Sequence, residues 1–400
     1  MLYPYGPTYF VKAVPKDGPE LDLTSLIDGF SYEDDEEKED KLSFSLKVGL
    51  GDKLIDHAAL VEGTPLKFRF GYSQGPYSPL RTALIVSAEP DFGENGVSIK
   101  IEATDKSSEM KTSEQTKTWS GKTLKQIAEE VAKNHKLKTS LEDVGGVLPD
   151  ASQSNQSDWG FLQKLAGDNN AKVYVEGDTL FLKKVQFSDA PARTFTYMAG
   201  QVGPGALLSF KPKSKKQEKG KAGAKTTAVG TDPDKLGQQK HTTTADNAPV
   251  QKLGPGTTFI DPVTGKVTTK RESQGKAVVT PATKPADLKA KADSVQTKSA
   301  SGEHEASLSC VGDPNLKAKV IISVAGVGKR HSGKWHVKSV KHSFGATYSC
   351  ELNLKRAGSG VGTKTPQPVN TKPSKDGDGK TPATKAMTTI DARTGEVRRG

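Results

Sequence analysis

The chain has 400 residues, 33% of them hydrophobic and 6% aromatic, and a formal net charge of +11. That length allows two to four domains, and the low hydrophobic share argues against one fully packed globule. No apolar run is long enough to span a membrane, the first residues lack a signal-peptide pattern, and two cysteines are too few for a disulfide framework.

Charge is spread unevenly. Residues 1–110 hold 11 Lys/Arg against 20 Asp/Glu, whereas 201–300 hold 18 against 8. The acidic start and the basic later segments are expected to pair between neighbouring copies, which confers specificity more than affinity. The basic stretch is also suited to an acidic partner or to non-specific contact with DNA phosphates.

Residues 1–106 predict a first β-domain of five or six strands. Tyr9 to Val14 is the first strand. Ile27 to Tyr32 is a second and leads into the acidic run 33–40, Glu-Asp-Asp-Glu-Glu-Lys-Glu-Asp. That run is expected to be a solvated loop, since its charges repel a packed environment. It lacks the alternating ligand spacing of a calcium loop. Leu42, Phe44, Leu46 and Val48 then alternate with Ser43, Ser45 and Lys47. Residues 51–61 predict a short helix. Strands follow at 65–72, 81–89 and 97–104, as in a small barrel or sandwich.

Residues 107–190 predict an α+β insert. Leu124, Ile127, Ala128, Val131 and Ala132 repeat with helical period, and Thr123 stands where a helix cap is needed. Gly121-Lys122-Thr123 imitates the end of a phosphate loop, but Thr116 occupies the position of its upstream glycine. A second helix is predicted from Ser157-Asp158, with Trp159, Leu162, Leu165 and Ala166 on one face, ending at 167–170. Lys172 to Glu176, a Gly177-Asp178 turn and Thr179 to Lys183 predict a hairpin.

Residues 191–232 plus 301–357 predict a second β-domain. Its strands are expected at 194–197, 206–210, 226–231, 303–311 and within 319–356. Tyr348, Cys350, Leu352 and Leu354 alternate with Ser349, Glu351, Asn353 and Lys355. In Trp335 to Phe344 the alternation puts Val337, Ser339 and Lys341 on one side, and His336, Lys338, Val340, His342 and Phe344 mainly on the other. Cys310 and Cys350 are expected to be buried and reduced; their spacing says nothing of whether they touch. Gly328-Lys-Arg-His-Ser-Gly333-Lys334 has phosphate-loop spacing up to the lysine. Trp335 then replaces the required Ser or Thr, and a strand replaces the required helix, so the segment reads as a basic hairpin turn.

The remaining parts, an insertion at 233–300 and a C-terminal extension at 358–400, are expected to be flexible and basic. Phe259 is the only aromatic residue between Phe210 and Trp335, too little material for a core. Both parts carry one repeat: Thr257-Thr-Phe-Ile-Asp-Pro-Val-Thr-Gly-Lys-Val267 and Thr388-Thr-Ile-Asp-Ala-Arg-Thr-Gly-Glu-Val397. Each reads as a hairpin turning at Thr-Gly, able to add strands to a partner's sheet edge.

Catalytic chemistry has little to build on. His336 and His342 stand six residues apart on one strand, too far to share a metal, and Glu303-His304-Glu305 alternates faces. No nucleophile elbow and no Cys-x-x-Cys pair occur. No catalytic, cofactor or metal residue is assigned. Were the chain an enzyme, Glu305 or an acidic group of 107–190 would be the first suspect.

The order of parts resembles the tail hub family of contractile phages, also called late control protein D, which is similar to the hub part of type VI secretion spikes. The resemblance rests on the helix at 121–135 and on Trp159-x-Phe161-Leu162-x-x-Leu165-Ala166 with its following hairpin. It rests most on the closing unit: Gly312-x-Pro314, Gly333 before Trp335 to Val340, His342-x-Phe344, Tyr348, and Leu352-x-Leu354-Lys-Arg356. It covers 8–232 and 301–357; the two extensions are longer and more basic than the pattern requires.

The resemblance implies a mainly β fold with an α+β insert and two tail-tube-like β-barrel domains. It implies a homotrimer whose six barrels join the six-fold tail tube to the three-fold central spike, without enzymatic activity or cofactor. Tube, spike and other baseplate proteins are the expected partners, the last through 233–300 and 358–400, in a virion baseplate assembled in the host cytoplasm. A hub of a secretion or injection particle, or a peptidoglycan-degrading tail enzyme, are the alternatives.

Overall fold

Alternating apolar and polar residues build most of the chain. The structure, a computed structural model, describes residues 6–214 except 49–53, 95, 113, 170, 185–189, 198–199 and 201–202, and residues 304–356 except 329–330. Elsewhere it describes 225–232, 237–244, 257–260, 267–270, 277–279, 288–289, 292, 295, 364–365, 388–390 and 397–399.

The first part contributes β1 (Pro7–Ala13), β2 (Leu21–Asp22), β3 (Ile27–Asp35), β4 (Lys41–Val48), β5 (Pro65–Tyr72), β6 (Arg81–Gly93) and β7 (Gly96–Thr104). Leu42, Phe44, Leu46 and Val48 are buried, while Ser43 and Ser45 are half-buried and Lys47 is exposed. No helix fills 51–61 among the described residues. Ala58–Leu60 form a single 3-10 turn, capped by the His57 ring, and 51–53 lie outside the described residues.

The insert runs β8 (Glu114–Thr123), α1 (Leu124–Asn134), β9 (Lys138–Leu141), β10 (Val147–Ser157), α2 (Asp158–Asp168), β11 (Ala171–Glu176) and β12 (Thr179–Lys184). Each helix begins where the preceding strand delivers a hydroxyl. The Thr123 side chain accepts from Gln126 N–H while Gln126 returns a bond to Thr123 N–H, and Ser157 Oγ accepts from Gly160 N–H. Leu124, Ile127, Ala128, Val131 and Ala132 face a core shared with Trp119, Trp159, Phe161 and Leu162. β11 and β12 form the hairpin over Gly177-Asp178. The strands β8 and β10, which pair with each other, have no strong alternation and escaped the sequence reading.

After the insert come β13 (Arg193–Thr196), β14 (Leu207–Ser214), β15 (Lys225–Asp232), β16 (Gly237–Thr244), β17 (Thr257–Ile260), β18 (Val267–Lys270) and β19 (Ala277–Val279). The closing unit supplies β20 (His304–Val311), β21 (Ile321–Ala325), β22 (Gly333–Phe344) and β23 (Tyr348–Arg356). The tail adds β24 (Lys364–Thr365), β25 (Thr388–Ile390) and β26 (Val397–Arg399).

The two β parts are joined through one sheet. Thirteen strands make one curled sheet whose main path is β14-β20-β23-β22-β3-β4-β7-β6-β5-β1-β2, with β21 and β13 branching from β22. The join is an antiparallel ladder of six residue pairs, from Ser339 opposite Asp35 to Phe344 opposite Phe30. One hydrophobic core runs through both halves, from Phe30, Phe68 and Phe70 to Trp335, Val337 and Leu352. Phe344 meets Phe30 edge-on at 5.3 Å between ring centroids, so the aromatic packing crosses the join as well.

β22 also departs from plain alternation. Its first residues pair with β21 and its last with β3, and the register slips between Val337 and Ser339. The slip puts Trp335, Val337, Val340 and Phe344 into one core, although alternation alone separates Val337 from Val340.

A further correction concerns 226–231. β15 leaves the large sheet and pairs with β16 and β19 in a three-stranded sheet of its own, where Ala228 packs on Leu288 and Ala292. Most of 233–300 and 358–400 lies outside the described residues. Both repeats form hairpins, Ile260 opposite Val267 and Ile390 opposite Val397. β24 adds to the first of them, parallel to β17. No helix among the described residues is long and apolar enough to cross a membrane.

Candidate functional site

The acidic run is the largest departure from the sequence reading. Asp34, Asp35, Glu36 and Asp40 are all buried, at 3, 7, 4 and 8% exposure. Glu33 to Asp35 complete β3, and Asp35 accepts from the backbone N–H groups of Glu37 and Lys38 to turn the chain. A buried carboxylate needs a partner, and here the partners come from distant segments.

Two groups form. In the first, Lys319 Nζ lies 2.6 Å from Asp34 Oδ1, and Ala318 N–H donates to Asp34 Oδ2 at 3.0 Å. Tyr32 donates to Asp40 Oδ2 at 2.6 Å, and Asp40 N–H donates to Asp105 Oδ2 at 2.9 Å. Arg81 Nη1 donates to the Tyr32 hydroxyl at 3.0 Å. Behind them a cavity of about 20 Å³ is lined by Tyr32, Asp40, Arg81, Asp105, Val175 and Glu176. In the second group, Glu36 meets His336 Nε2 at 2.7 Å, Lys172 Nζ at 3.0 Å, and Lys355.

The two groups tie three parts together. Asp34, Glu36 and Asp40 belong to the first β part, Lys172 to the insert, and Lys319, His336 and Lys355 to the closing unit. The cations that meet the acidic run, Lys172, Lys319, His336 and Lys355, all lie outside the basic stretch 201–300.

Electrostatics separates the carboxylates. Burial pushes Asp34 up, but Lys319 outweighs it, helped by Arg81 and the Ala318 N–H, and the carboxyl ends below its ordinary range. Glu36 ends well below its ordinary value: burial opposes this, and His336, Lys172 and Lys355 overcome it. Asp40 goes the other way. Burial and the charge of Asp34 raise it well above the ordinary value, more than Lys319 can offset. Burial likewise raises Asp105.

The insert has its own polar chain. Trp119 Nε1 donates to Gln153 Oε1 at 3.2 Å, Gln153 Nε2 donates to Asp158 Oδ1 at 2.9 Å, and Asp158 Oδ2 lies 3.0 Å from His135 Nε2. This relay locks β8, β10 and both helices. The other suspect, Glu305, sits near the start of β20 opposite Lys213 and Lys355 in register.

The histidines are kept apart. His336 turns to Glu36, whereas His342 contacts the Tyr348 hydroxyl at 2.8 Å and the Leu316 carbonyl at 3.1 Å. Among the described residues no group of three or more His, Cys, Asp or Glu is arranged to hold a metal. After Gly333 and Lys334 the strand β22 continues, with no helix to receive a phosphate.

Sequence reading missed Arg81, Asp105, Lys172, Lys319 and Lys355. Lys319 carried a signal: it precedes the apolar run Val320-Ile-Ile, with no polar alternation to take it to solvent. The motif Gly312-x-Pro314 acquires a reason here. Tyr348 lies flat on Gly312, where any Cβ would overlap its ring, and Tyr72 donates to the Gly312 carbonyl at 2.8 Å.

A curled sheet of thirteen strands with an α+β insert is the fold of phage tail proteins and of a type VI secretion component. Residues 53–345, more than half of the chain, match the family model described as Alg8 N-terminal domain, and the chain belongs to that family. Among solved structures it is similar to the tail protein from Neisseria meningitidis MC58, at 13% identity and a TM-score of 0.62 over 88% of this chain and 97% of that one. The 43 kDa tail protein of prophage MuSo2 from Shewanella oneidensis gives 14% identity and a TM-score of 0.61 over 87 and 98%. An E. coli type VI secretion component, described as structurally similar to the T4 tail proteins gp27 and gp5, gives 9% and 0.53 over 89 and 79%. No curated protein matches the chain.

Proposed function

We propose that this protein is a non-enzymatic tail hub: a homotrimer forming a pseudo-six-fold ring between the six-fold tube and the three-fold spike of a contractile tail. The observation that carries the reading is the fold, shared over most of the chain with tail proteins and with a type VI secretion component.

The architecture supports the reading physically. Two β parts, the strands of 1–106 and those of 191–214 with 304–356, stand in one sheet on either side of the insert 107–190 in sequence. Three copies of such a doubled unit present six similar faces. The sheet ends in β14 on one side and in β1 and β2 on the other, edges suited to pairing with a neighbouring copy. The insertion 233–300 and extension 358–400 are assigned to contacts with spike or baseplate proteins. In the virion the ring sits in the tail baseplate, where DNA in transit meets it only through phosphate contacts. The likeness to a type VI component favours, as a second reading, the same role in a secretion particle.

Mass photometry of the full chain tests the trimer, and a pull-down with the neighbouring tube and spike proteins tests the bridge. A species of three chains that captures both is expected. A monomer at high concentration that captures neither overturns the proposal, as does lysis of peptidoglycan in a zymogram.

A further inference from the structure

The two cysteines face each other. Cys310 on β20 is the register partner of Cys350 on β23, and both are free and fully buried. Gly312 N–H donates to the Tyr348 carbonyl at 2.9 Å, so two steps along the ladder the cysteines also occupy a hydrogen-bonded pair. Such pairs hold their Cα atoms about 5.5 Å apart, inside the span of about 4.4–6.8 Å that a disulfide bridges.

The surroundings treat the two sulfurs differently. His342 Nδ1 lies 3.2 Å from Cys350 Sγ, and Asp313 N–H donates to the same sulfur at 3.4 Å. His342 Nε2 faces the Leu316 carbonyl at 3.1 Å, and a carbonyl only accepts, so Nε2 carries hydrogen and Nδ1 is the acceptor, which Cys350 shares with the Tyr348 hydroxyl 2.8 Å away. Burial pushes the Cys350 thiol up, but bonds from Cys310, His342 and Tyr348 outweigh it and hold it below its ordinary value. The Cys310 thiol is raised by its bond to Cys350 and by burial. A thiolate beside a thiol, with a base in contact, is the arrangement a two-electron oxidation needs.

We propose that Cys310 and Cys350 are a redox pair that hydrogen peroxide closes into a cross-strand disulfide between β20 and β23. Cys350 transfers its proton to His342, and its thiolate attacks one peroxide oxygen. The S–O bond forms, the O–O bond breaks, and the departing hydroxide takes the proton from His342 to become water. Cys310 sulfur then attacks Cys350 Sγ. The S–S bond forms, the S–O bond breaks, and the second hydroxide leaves as water with the Cys310 proton. Two thiols and one hydrogen peroxide give one disulfide and two waters. Peroxide is water-sized, so it reaches the pair through the local openings that also admit water. The closed loop holds β21, β22 and Trp335, which the bond constrains against unfolding.

The test uses the full-length native protein. It is treated with hydrogen peroxide, quenched and denatured, then analysed by thiol titration and intact mass. The expected result is a fall from two thiols to none, a mass lower by two hydrogens, and a higher Tm than the reduced sample. In Cys310→Ser, which keeps Cys350 and its histidine, a dimedone adduct on Cys350 is expected. Two thiols persisting in the native protein, oxygen added to Cys350 without a disulfide, or cross-linking that appears only in denaturant overturns the proposal.

Discussion

Lys319 Nζ lies 2.6 Å from Asp34 Oδ1 across 285 positions of sequence, with the carboxylate buried and the lysine side chain 14% exposed. Among the described residues Lys319 is one of three non-glycine residues with positive φ, at 68°, so the backbone bends into an unfavourable conformation where the ammonium meets the carboxylate. Breaking a buried pair by removing one partner costs about 3–5 kcal/mol, because the other charge stays behind. Lys319→Met is expected to lose that much in denaturant unfolding. Adding Asp34→Asn to Lys319→Met is expected to recover part of the loss, and a double-mutant cycle measures how much.

The carboxylates predict opposite responses to pH. Asp34 and Glu36 lie below their unfolded values of about 4 when folded, so the stability they add is present above that pH. It is lost as pH falls through their folded values. Asp40 lies above its unfolded value, so its contribution is present below about pH 4 and lost as pH rises through the folded value. Asp40→Asn is expected to raise Tm at pH 8, with the gap closing towards pH 4. Thermal melts of both proteins across that range decide it.

Gly312 has no room for a side chain. Gly312→Ala drives a methyl into the Tyr348 ring and is expected to cost about 1–3 kcal/mol, the usual range for overpacking. Combined with Tyr348→Val, which clears the ring, the same substitution is expected to cost less than the two single changes summed. Urea midpoints of the four proteins test this.

The two helix caps act locally. Thr123→Ala and Ser157→Ala each remove a bond to an otherwise orphaned helix N–H, and each is expected to cost about 1 kcal/mol. Amide exchange is expected to rise at Gln126 in the first variant and at Gly160 in the second.

Where neighbours in sequence decide the structure, the sequence was readable. The alternation of Tyr348, Cys350, Leu352 and Leu354, the Thr123 cap, the start of the second helix at Ser157-Asp158 and the hairpin at Gly177-Asp178 follow from residues a few positions apart. Distance in sequence defeated the rest. The run 33–40 read as a loop because Lys319, His336 and Lys355 lie about three hundred positions away. The facing of Val337 and Val340 depends on β22 changing partners from β21 to β3, and no residue announces the slip. β15 reads like any strand, and only pairing with β16 and β19 takes it out of the large sheet.

The six-pair ladder between β3 and β22 has a mechanical consequence. A pull along these strands loads all of its hydrogen bonds together in shear. Tension entering at one end of the sheet is therefore delivered to the other with little slack, as a stiff washer passes torque between two shafts.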